Sequence, residues 1–330
     1  MIYKILFKIK GEENMFKKIK SLMMITLVVG GMAVGCGKAD TTKQDDRKLV
    51  TLVLDKGGVQ DGSFNESAWN GALKAQDELG VEVKYLESNT DADYDQNIET
   101  AIDMDSDLII GIGFNLSQAV EEAAIAYPEQ QFAIIDGSFE EIPSNVTPIG
   151  FNEREAGYLA GLATGKSVNS DKFGFIGGFE VPAVVNYKEG FEQGIKEANP
   201  NAELSVQYAN SFTDAAKGRV IAEQMISQGI EAIMTAGGGV NTGCYEVCKE
   251  RGKYAVAVDM AQSYIVPEAI LTSAIKKVDV GVTDTIKSYI EGNLKGGSSL
   301  TYTIENDGVG YEKTNLLSNE VADYVDGKIK

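Results

Sequence analysis

The 330-residue sequence contains no histidine at all. This absence removes the commonest general base, the Ser–His and Cys–His pairs of nucleophilic catalysis, and the usual zinc ligand. Two of the 3 cysteines, Cys244 and Cys248, are four positions apart on a predicted helix, where a disulfide fits poorly. We expect both to be small buried residues. These absences argue against an enzyme, and we predict no catalytic residue, no metal and no cofactor.

Proline and basic residues are also scarce. The sequence has 6 prolines, and 43% of its residues are hydrophobic against 24% charged, which is typical of a globular protein. Lys and Arg number 30 against 49 Asp and Glu, a net charge of −19. Because phosphate backbones attract basic surfaces, this charge argues against nucleic acid as a partner. The length suits about two domains of ordinary size.

The N-terminal segment has the pattern of a signal peptide. Three lysines follow Met15, an apolar stretch covers residues 21–34, and small residues precede Cys36. That order is typical of a secretory signal, and the stretch is shorter than the roughly 20 residues of a membrane span. A cysteine directly after such a segment resembles a bacterial lipoprotein signal. We predict a signal peptide over residues 1–35, with translation starting at Met15 and a lipid on Cys36.

Residues 36–48 are polar and lack apolar periodicity, as expected of a tether between lipid and domain. The protein would then be anchored to the cell membrane and face outside the cytoplasm. The alternative is a buried N-terminal helix that ends at a free cysteine.

Apolar runs of strand length alternate with amphipathic stretches along the rest of the chain. Strands are expected at residues 49–55, 81–88, 108–113, 131–136 and 146–151, then at 172–178, 202–209, 232–237, 254–259 and 269–275. Helices are expected at about 66–79, 94–104, 117–127, 153–165, 182–197, 214–228, 241–251 and 279–292. Continuous apolar strands separated by helices indicate parallel sheets covered on both faces. The fold class is therefore α/β, with two doubly wound parallel-sheet lobes.

The predicted boundaries follow from this alternation. We expect an N-terminal lobe over residues 49–151, a C-terminal lobe over residues 152–276, and a crossover helix and tail over residues 277–330. The packing of the tail is not predicted.

Several predicted strands end in aspartate or glycine. Asp55, Asp136 and Asp259 each end a strand, and the segments GIG (111–113) and AGGG (236–239) lie between a strand and a helix start. In open α/β sheets, ligands bind beyond the carboxyl ends of the strands. A single aspartate there is more often a helix cap or turn former, but three in two similar halves favour a ligand site.

Five motifs carry a resemblance to a known family. They are GGVQDGSFNESAWNG (57–71), GFNEREAGYLAG (150–161), GGFEVPAVVNYKEGFEQG (177–194), AGGGVNTG (236–243) and VAVDMAQSY (256–264). In this order, from about residue 49 to about residue 295, the chain resembles the basic membrane protein family, whose best-known members are purine nucleoside receptor lipoproteins. The resemblance implies a type I periplasmic-binding-protein fold with a hinge, and a substrate-binding lipoprotein of an ABC importer.

The resemblance also implies roles for residues that match the family's motifs. Phe64 and Phe212 would stack on opposite faces of a purine base. Asp55 and Asn65 would hydrogen-bond the base, and Asp136 would also face the site.

The remaining matches concern the sugar. Asp259 lies where a family aspartate grips the ribose hydroxyls, and Lys276 would reach the same sugar, with Lys277 as the alternative. Gly238 would line the site from the glycine-rich turn. The segment after Asp259, VAVDMAQ, departs from the commoner family pattern, in which Asp-Gln follows closely on that aspartate, so no contact beyond Asp259 is carried over.

Physical chemistry is consistent with these roles. A flat base is held well between aromatic faces, at about 1–3 kcal/mol per stacked base. A carboxylate can accept both hydroxyls of a ribose diol. Without the resemblance, Phe64 is better explained as a hydrophobic staple on the first helix, and Trp69 as a core residue.

We therefore predict a monomeric receptor that binds a purine nucleoside between two lobes and presents it to an ABC permease in the membrane. Three alternatives stay open. They are a receptor for a sugar or another small solute, a nucleoside-processing enzyme that uses Asp55 and Asp136, and a surface sensor or adhesin that needs no permease.

Overall fold

The computed structural model describes residues 47–329. The predicted signal peptide, Cys36 and nearly all of the tether lie outside the described residues. Twelve strands are found there: β1 (Leu49–Leu54), β2 (Glu82–Glu87), β3 (Leu108–Ile112), β4 (Gln131–Ile135), β5 (Val146–Phe151), β6 (Lys172–Gly177), β7 (Glu203–Tyr208), β8 (Ala232–Ala236), β9 (Tyr254–Asp259), β10 (Ile270–Lys276), β11 (Leu300–Tyr302) and β12 (Val309–Tyr311).

Nine α-helices lie between and after these strands in the same range. They are α1 (Phe64–Leu79), α2 (Asp93–Asp103), α3 (Ser117–Ala126), α4 (Glu153–Ser167), α5 (Pro182–Ala198), α6 (Ala215–Ser227), α7 (Val240–Arg251), α8 (Val278–Ile290) and α9 (Asn319–Asp326). None of these helices has the length and apolarity needed to cross a membrane. The predicted alternation of strands and helices is confirmed throughout both halves.

The strands form two sheets with the same order. The first sheet runs β11-β5-β4-β3-β1-β2 and the second runs β12-β10-β9-β8-β6-β7. All neighbours are parallel except β12, which is antiparallel to β10. Central strands such as β3 and β8 are buried along their whole length, because helices cover both faces of a parallel sheet. This confirms the predicted α/β class with two doubly wound parallel sheets.

The chain passes between the two sheets three times. After β5 it enters α4, which packs on α5 and β10, and after β10 it enters α8, which packs on α1. The tail then divides, since β11 pairs with β5 and β12 pairs with β10. The first lobe therefore consists of the first sheet with α1, α2, α3 and α8, and the second lobe of the second sheet with the other helices. The three crossings beside β5 and β10 form the hinge.

Helix ends follow local sequence signals. Asn152 and Asp214 cap α4 and α6 by accepting a hydrogen bond from the backbone N–H three residues later. Gly80 and Gly252 end α1 and α7 in the left-handed conformation that glycine adopts most readily.

The two cysteines of the described chain lie in the core of the second lobe. Cys244 and Cys248 are both free and buried on α7, with their sulfur atoms 3.9 Å apart. The prediction of two small buried residues is confirmed.

Candidate functional site

A cavity lies between the two lobes, the kind of position where small-molecule sites are often found. All eight residues predicted for ligand binding line it: Asp55, Phe64, Asn65, Asp136, Phe212, Gly238, Asp259 and Lys276. The first four belong to the first lobe and the last four to the second. Most of them end a strand or follow one, so this interlobe cavity lies where open α/β sheets bind ligands.

Phe64 and Phe212 line the interlobe cavity from opposite lobes. Phe64 is the first residue of α1, and Phe212 lies in the loop between β7 and α6. The Phe212 ring lies directly over Gly178, where an added Cβ would come within 2.2 Å of the ring. Glycine at this position therefore makes room for the aromatic ring.

Phe64 also packs against the main hydrophobic cluster, so a contact with the core and the cavity-lining position coexist in one side chain. Trp69 is not among the cavity-lining residues. It is partly buried against the main hydrophobic cluster and packs edge-on against Tyr85 with ring centroids 4.8 Å apart, so the prediction of a core residue is met only in part.

Asp55 is held at the end of β1 by a dense set of donors. Its carboxylate accepts hydrogen bonds from the Tyr94 hydroxyl, from Asn115 Nδ2 at 2.9 Å and from the Lys56 backbone N–H at 2.5 Å. Burial raises the pKa of Asp55, and these three hydrogen bonds oppose the rise. Asn65 Nδ2 donates to the Asp55 backbone carbonyl at 3.3 Å, which orients the Asn65 amide.

Asp61 is a cavity-lining carboxylate that sequence reasoning missed. Its two oxygens accept the backbone N–H groups of Ser63, Asn65 and Glu66 at 2.9–3.1 Å, so it caps the start of α1. Burial raises the pKa of Asp61 to about 6, although these N–H donors lower it. Asp61 thereby fixes the helix end from which Phe64 and Asn65 project.

The end of the interlobe cavity nearest the hinge holds a buried charge cluster. Lys276 Nζ lies 2.5 Å from Asp136 Oδ2 and 2.9 Å from Glu153 Oε1, and it also lies 5.1 Å from the centroid of the Phe64 ring. Burial alone would lower the pKa of Lys276, but the surrounding carboxylates raise it above its ordinary value. Burial raises the pKa of Asp136 to about 7, against the effect of the Lys276 ammonium.

Asp259 lies at the end of β9, beside this cluster. Its carboxylate accepts hydrogen bonds from Ser63 Oγ of the first lobe at 2.5 Å and from the Tyr187 hydroxyl at 3.2 Å. Burial raises the pKa of Asp259, whereas the nearby Lys276 ammonium lowers it. Asp136 and Asp259 both have left-handed backbones, with φ of 60° and 68°, so corresponding strand ends of the two lobes turn their carboxylates in the same way.

Two buried acceptors that belong to cavity-lining residues have no partner in the described part of the chain. They are Asn65 Oδ1 and Asp136 Oδ1. An unpartnered buried acceptor is costly, so both atoms are suited to receive N–H or O–H donors from a ligand. Lys277 does not line the interlobe cavity and pairs instead with the exposed Asp307 at 2.6 Å.

Other lining residues were also missed by sequence reasoning, among them Lys56, Asn115 and Tyr187. Each lies inside or next to a quoted motif or a predicted strand end, so the signal that could have found them was proximity to those features. Glu153 does not line the cavity itself, and it was missed for a different reason. A glutamate at a helix start normally faces solvent, but this one is buried with Lys276 Nζ and Asn186 Nδ2 as its partners.

Comparison with known proteins identifies the family. The family model described as "ABC transporter substrate-binding protein PnrA-like" (Bmp) matches residues 48–330. The CD4+ T-cell-stimulating antigen of Listeria innocua is 36% identical over 93% of this chain and 94% of its own length. The ABC transporter nucleoside-binding protein BmpA of Lactococcus lactis is 32% identical over 96% of this chain and 99% of its own.

Solved structures agree with this result. A solute-binding protein of an ABC transporter system from Aeropyrum pernix superimposes with a TM-score of 0.76 at 27% identity, covering 85% of each chain. The family and fold predicted from the motifs are thus confirmed, and the family consists of solute-binding proteins, not enzymes. The chain belongs to the basic membrane protein family of PnrA-like ABC transporter substrate-binding proteins.

Proposed function

We propose that this protein binds a purine nucleoside in the interlobe cavity and presents it to an ABC permease. The observation that carries the proposal is the pairing of Phe64 and Phe212, which line one cavity from opposite lobes. A flat base between two aromatic rings gains about 1–3 kcal/mol per stacked base. Such an arrangement also makes stacking depend on closure, since each lobe supplies one ring.

The polar groups beside the rings suit the edge of a base. Within residues 47–329, Asn65 Oδ1 has no hydrogen-bond partner, and the Asp55 carboxylate lines the same cavity with Asn115 hydrogen-bonded to it. Carboxylate and amide oxygens accept the N–H donors that purine bases carry on their edges. Asp55 and Asn65 are therefore assigned to the base.

The hinge-side end of the cavity suits a ribose. Asp136 Oδ1 is an acceptor without a partner among the described residues, Asp259 supplies a second carboxylate, and Lys276 supplies an ammonium donor next to both. A vicinal diol offers two O–H donors to a carboxylate and hydroxyl oxygens to an ammonium. These three residues are assigned to the sugar.

The charge of the interlobe cavity favours an uncharged ligand. The carboxylates of Asp55, Asp61, Asp136 and Asp259 line it against the ammonium groups of Lys56 and Lys276. A phosphate would add negative charge to an excess of buried negative charge, which raises its free energy of binding. Nucleosides are therefore proposed over nucleotides. The Lactococcus lactis relative bears the name nucleoside-binding protein, which supports the same class of ligand.

The cellular part of the proposal follows from the family and the N-terminal sequence. A lipid on Cys36 would hold the protein at the outer surface of the cell membrane, and residues 36–48 would let a monomeric receptor reach the permease. Mass determination of the N-terminal peptide from membrane-extracted protein tests the anchor, since an unlipidated peptide beginning before Cys36 would contradict it.

Calorimetric titration of the chain from residue 37 onwards tests the ligand. Guanosine, inosine and adenosine should bind, guanosine monophosphate should bind more weakly, and free sugars should not bind. No binding of any purine nucleoside at millimolar concentration, or tight binding of a sugar, would contradict the proposal. Mass spectrometry of small molecules that copurify with the native protein provides an independent check.

Substitution of the two rings tests the observation that carries the proposal. Phe64→Ala and Phe212→Ala should each weaken purine nucleoside binding by about five- to 150-fold, corresponding to the loss of one stacking face. Phe139→Ala is the matched control, because Phe139 is also half-buried but does not line the cavity. Equal losses in all three variants would show that the effect is not stacking.

A further inference from the structure

The outer end of the interlobe cavity, opposite the hinge, is bounded by residues from both lobes. In each sheet the first two strands of the lobe lie farthest from the hinge crossings. The loops that follow these strands line a second, more polar space, the outer groove. Its lining includes Lys56 and Glu87 from the first lobe and Phe179, Asn210 and Phe212 from the second.

Two residues, Lys56 and Phe212, line both the interlobe cavity and the outer groove. They therefore form the wall between the two spaces. Lys56 Nζ lies 5.6 Å from the centroid of the Phe179 ring, and the Phe179 ring meets Phe212 edge-on, with centroids 5.1 Å apart. A cation, a ring and a second ring thus lie in contact between the cavity and the groove.

The contact between Lys56 and Phe179 crosses from one lobe to the other. Lys56 is anchored within the first lobe, because its Nζ pairs with Asp91 Oδ1 at 2.8 Å and its backbone N–H donates to Asp55. Phe179 is anchored within the second lobe by its contact with Phe212. Because the two anchors belong to different lobes, we expect opening of the lobes to separate them and to break this contact.

We propose that Lys56 and Phe179 are positioning residues that form a gate at the outer end of the cavity and slow the release of bound ligand. The proposal rests on the proposed function, because the ligand is taken to be a purine nucleoside. A cation over an aromatic face is attracted to the ring. The contact between Lys56 and Phe179 therefore stabilises the closed state of the two lobes. Removing the contact favours opening and raises koff. The rate of binding to the open state, kon, does not depend on a contact that the open state lacks.

Stopped-flow measurement of guanosine association and dissociation tests the gate. Lys56→Met and Phe179→Leu should each raise koff about three- to tenfold, with kon within about twofold of the wild type. Lys56→Arg should restore slow release, because a guanidinium also stacks on an aromatic face. The double variant should release ligand no faster than the faster single variant, since both changes remove one contact.

Lys166→Met is the matched control. Lys166 Nζ lies 4.7 Å from the Tyr324 ring, the same kind of contact, and neither residue lines the interlobe cavity or the outer groove. The koff of guanosine from Lys166→Met should equal that from the wild type. A wild-type koff in Lys56→Met, a multiplicative effect in the double variant, or an equal rise in Lys166→Met would each overturn the gate alone. A wild-type protein that binds no purine nucleoside would overturn the proposed function and the gate with it.

Discussion

Lys276 and Asp136 join the two lobes through a buried ion pair, with Nζ 2.5 Å from Oδ2 and the lysine side chain 1% exposed. Lys276 ends the last parallel strand of the second sheet, and Asp136 follows the fourth strand of the first. Both residues also line the interlobe cavity. Two of the groups that we propose for the sugar therefore also join the lobes, so we expect binding and closure to be coupled through them.

Removal of the Lys276 charge should destabilise the fold strongly. Lys276→Met leaves Asp136 and Glu153 buried without their partner, and breaking a buried pair in this way costs about 3–5 kcal/mol. Urea unfolding at neutral pH measures the loss. Lys277→Met is the control, because its partner Asp307 is 88% exposed, and surface ion pairs contribute about 0–1 kcal/mol. Equal destabilisation by the two variants would contradict the buried-pair account.

Ligand binding should depend on pH through Asp136. Burial raises the pKa of this carboxyl to about 7, and only its ionised form accepts a donor at both oxygens. Protonation therefore competes with a donor from the ligand, so guanosine affinity should rise from about pH 6 to about pH 8 and then level off. Calorimetry in two buffers of different ionisation enthalpy should detect the release of a proton from Asp136 when guanosine binds below pH 7.

The control for this pH dependence is Asp136→Asn, whose affinity should be lower but nearly constant between about pH 7 and pH 8. Burial raises the pKa of Asp61 to about 6, so any pH dependence of guanosine affinity that remains in Asp136→Asn should appear at lower pH. A rise of the same size and midpoint in the variant would exclude Asp136 as the titrating group.

Asp259→Asn should weaken binding through the ribose. Replacing a charged acceptor by an amide removes about 1–3 kcal/mol from a hydrogen-bonded diol, a loss of about five- to 150-fold in affinity. The loss should be large for guanosine and small for 2′,3′-dideoxyguanosine, which has no diol. Titration of both ligands into the wild type and into Asp259→Asn gives the coupling free energy between the Asp259 carboxylate and the diol. An equal loss of affinity for the two ligands would mean that Asp259 supports the structure of the cavity and does not contact the diol.

Close packing between α4 and α5 should make Gly190 intolerant of a side chain. A Cβ added there would lie 2.0 Å from the Arg154 carbonyl oxygen, so Gly190→Ala must push two buried helices apart. Overpacking of this kind costs about 1–3 kcal/mol. Gly310→Ala is the control, since a Cβ there meets no atom within 4 Å. Thermal unfolding should show a lower Tm for the first variant and little change for the second.

Much of this molecule could be predicted because the relevant signals are local. Apolar runs such as LIIGI become fully buried strands, since a strand covered on both faces has no polar positions to alternate. The strand-end residues Asp55, Asp136 and Asp259 line the interlobe cavity, because parallel strands of one sheet present their carboxyl ends at one edge. Phe64 and Phe212 were predicted from motif resemblance, not from periodicity.

The parts that were missed depend on which distant segments meet. The buried ion pair of Glu153 needs Lys276, the cross-lobe hydrogen bond of Asp259 needs Ser63, and the cation–π contact of Lys56 needs Phe179. Each pair joins residues more than a hundred positions apart, and no local pattern encodes such a pairing.

The amino-acid sequence by itself determined the elements of the two α/β halves, their order, the family and eight of the cavity-lining residues, because hydrophobic periodicity, turn chemistry and motifs act over short stretches of chain. Only the tertiary structure decided how the tail divides between the sheets, which carboxylates share Lys276, and which side chains close the outer end of the cavity. The physical reason is that these contacts form when two lobes dock, and their energies depend on burial and on charges contributed by the opposite lobe.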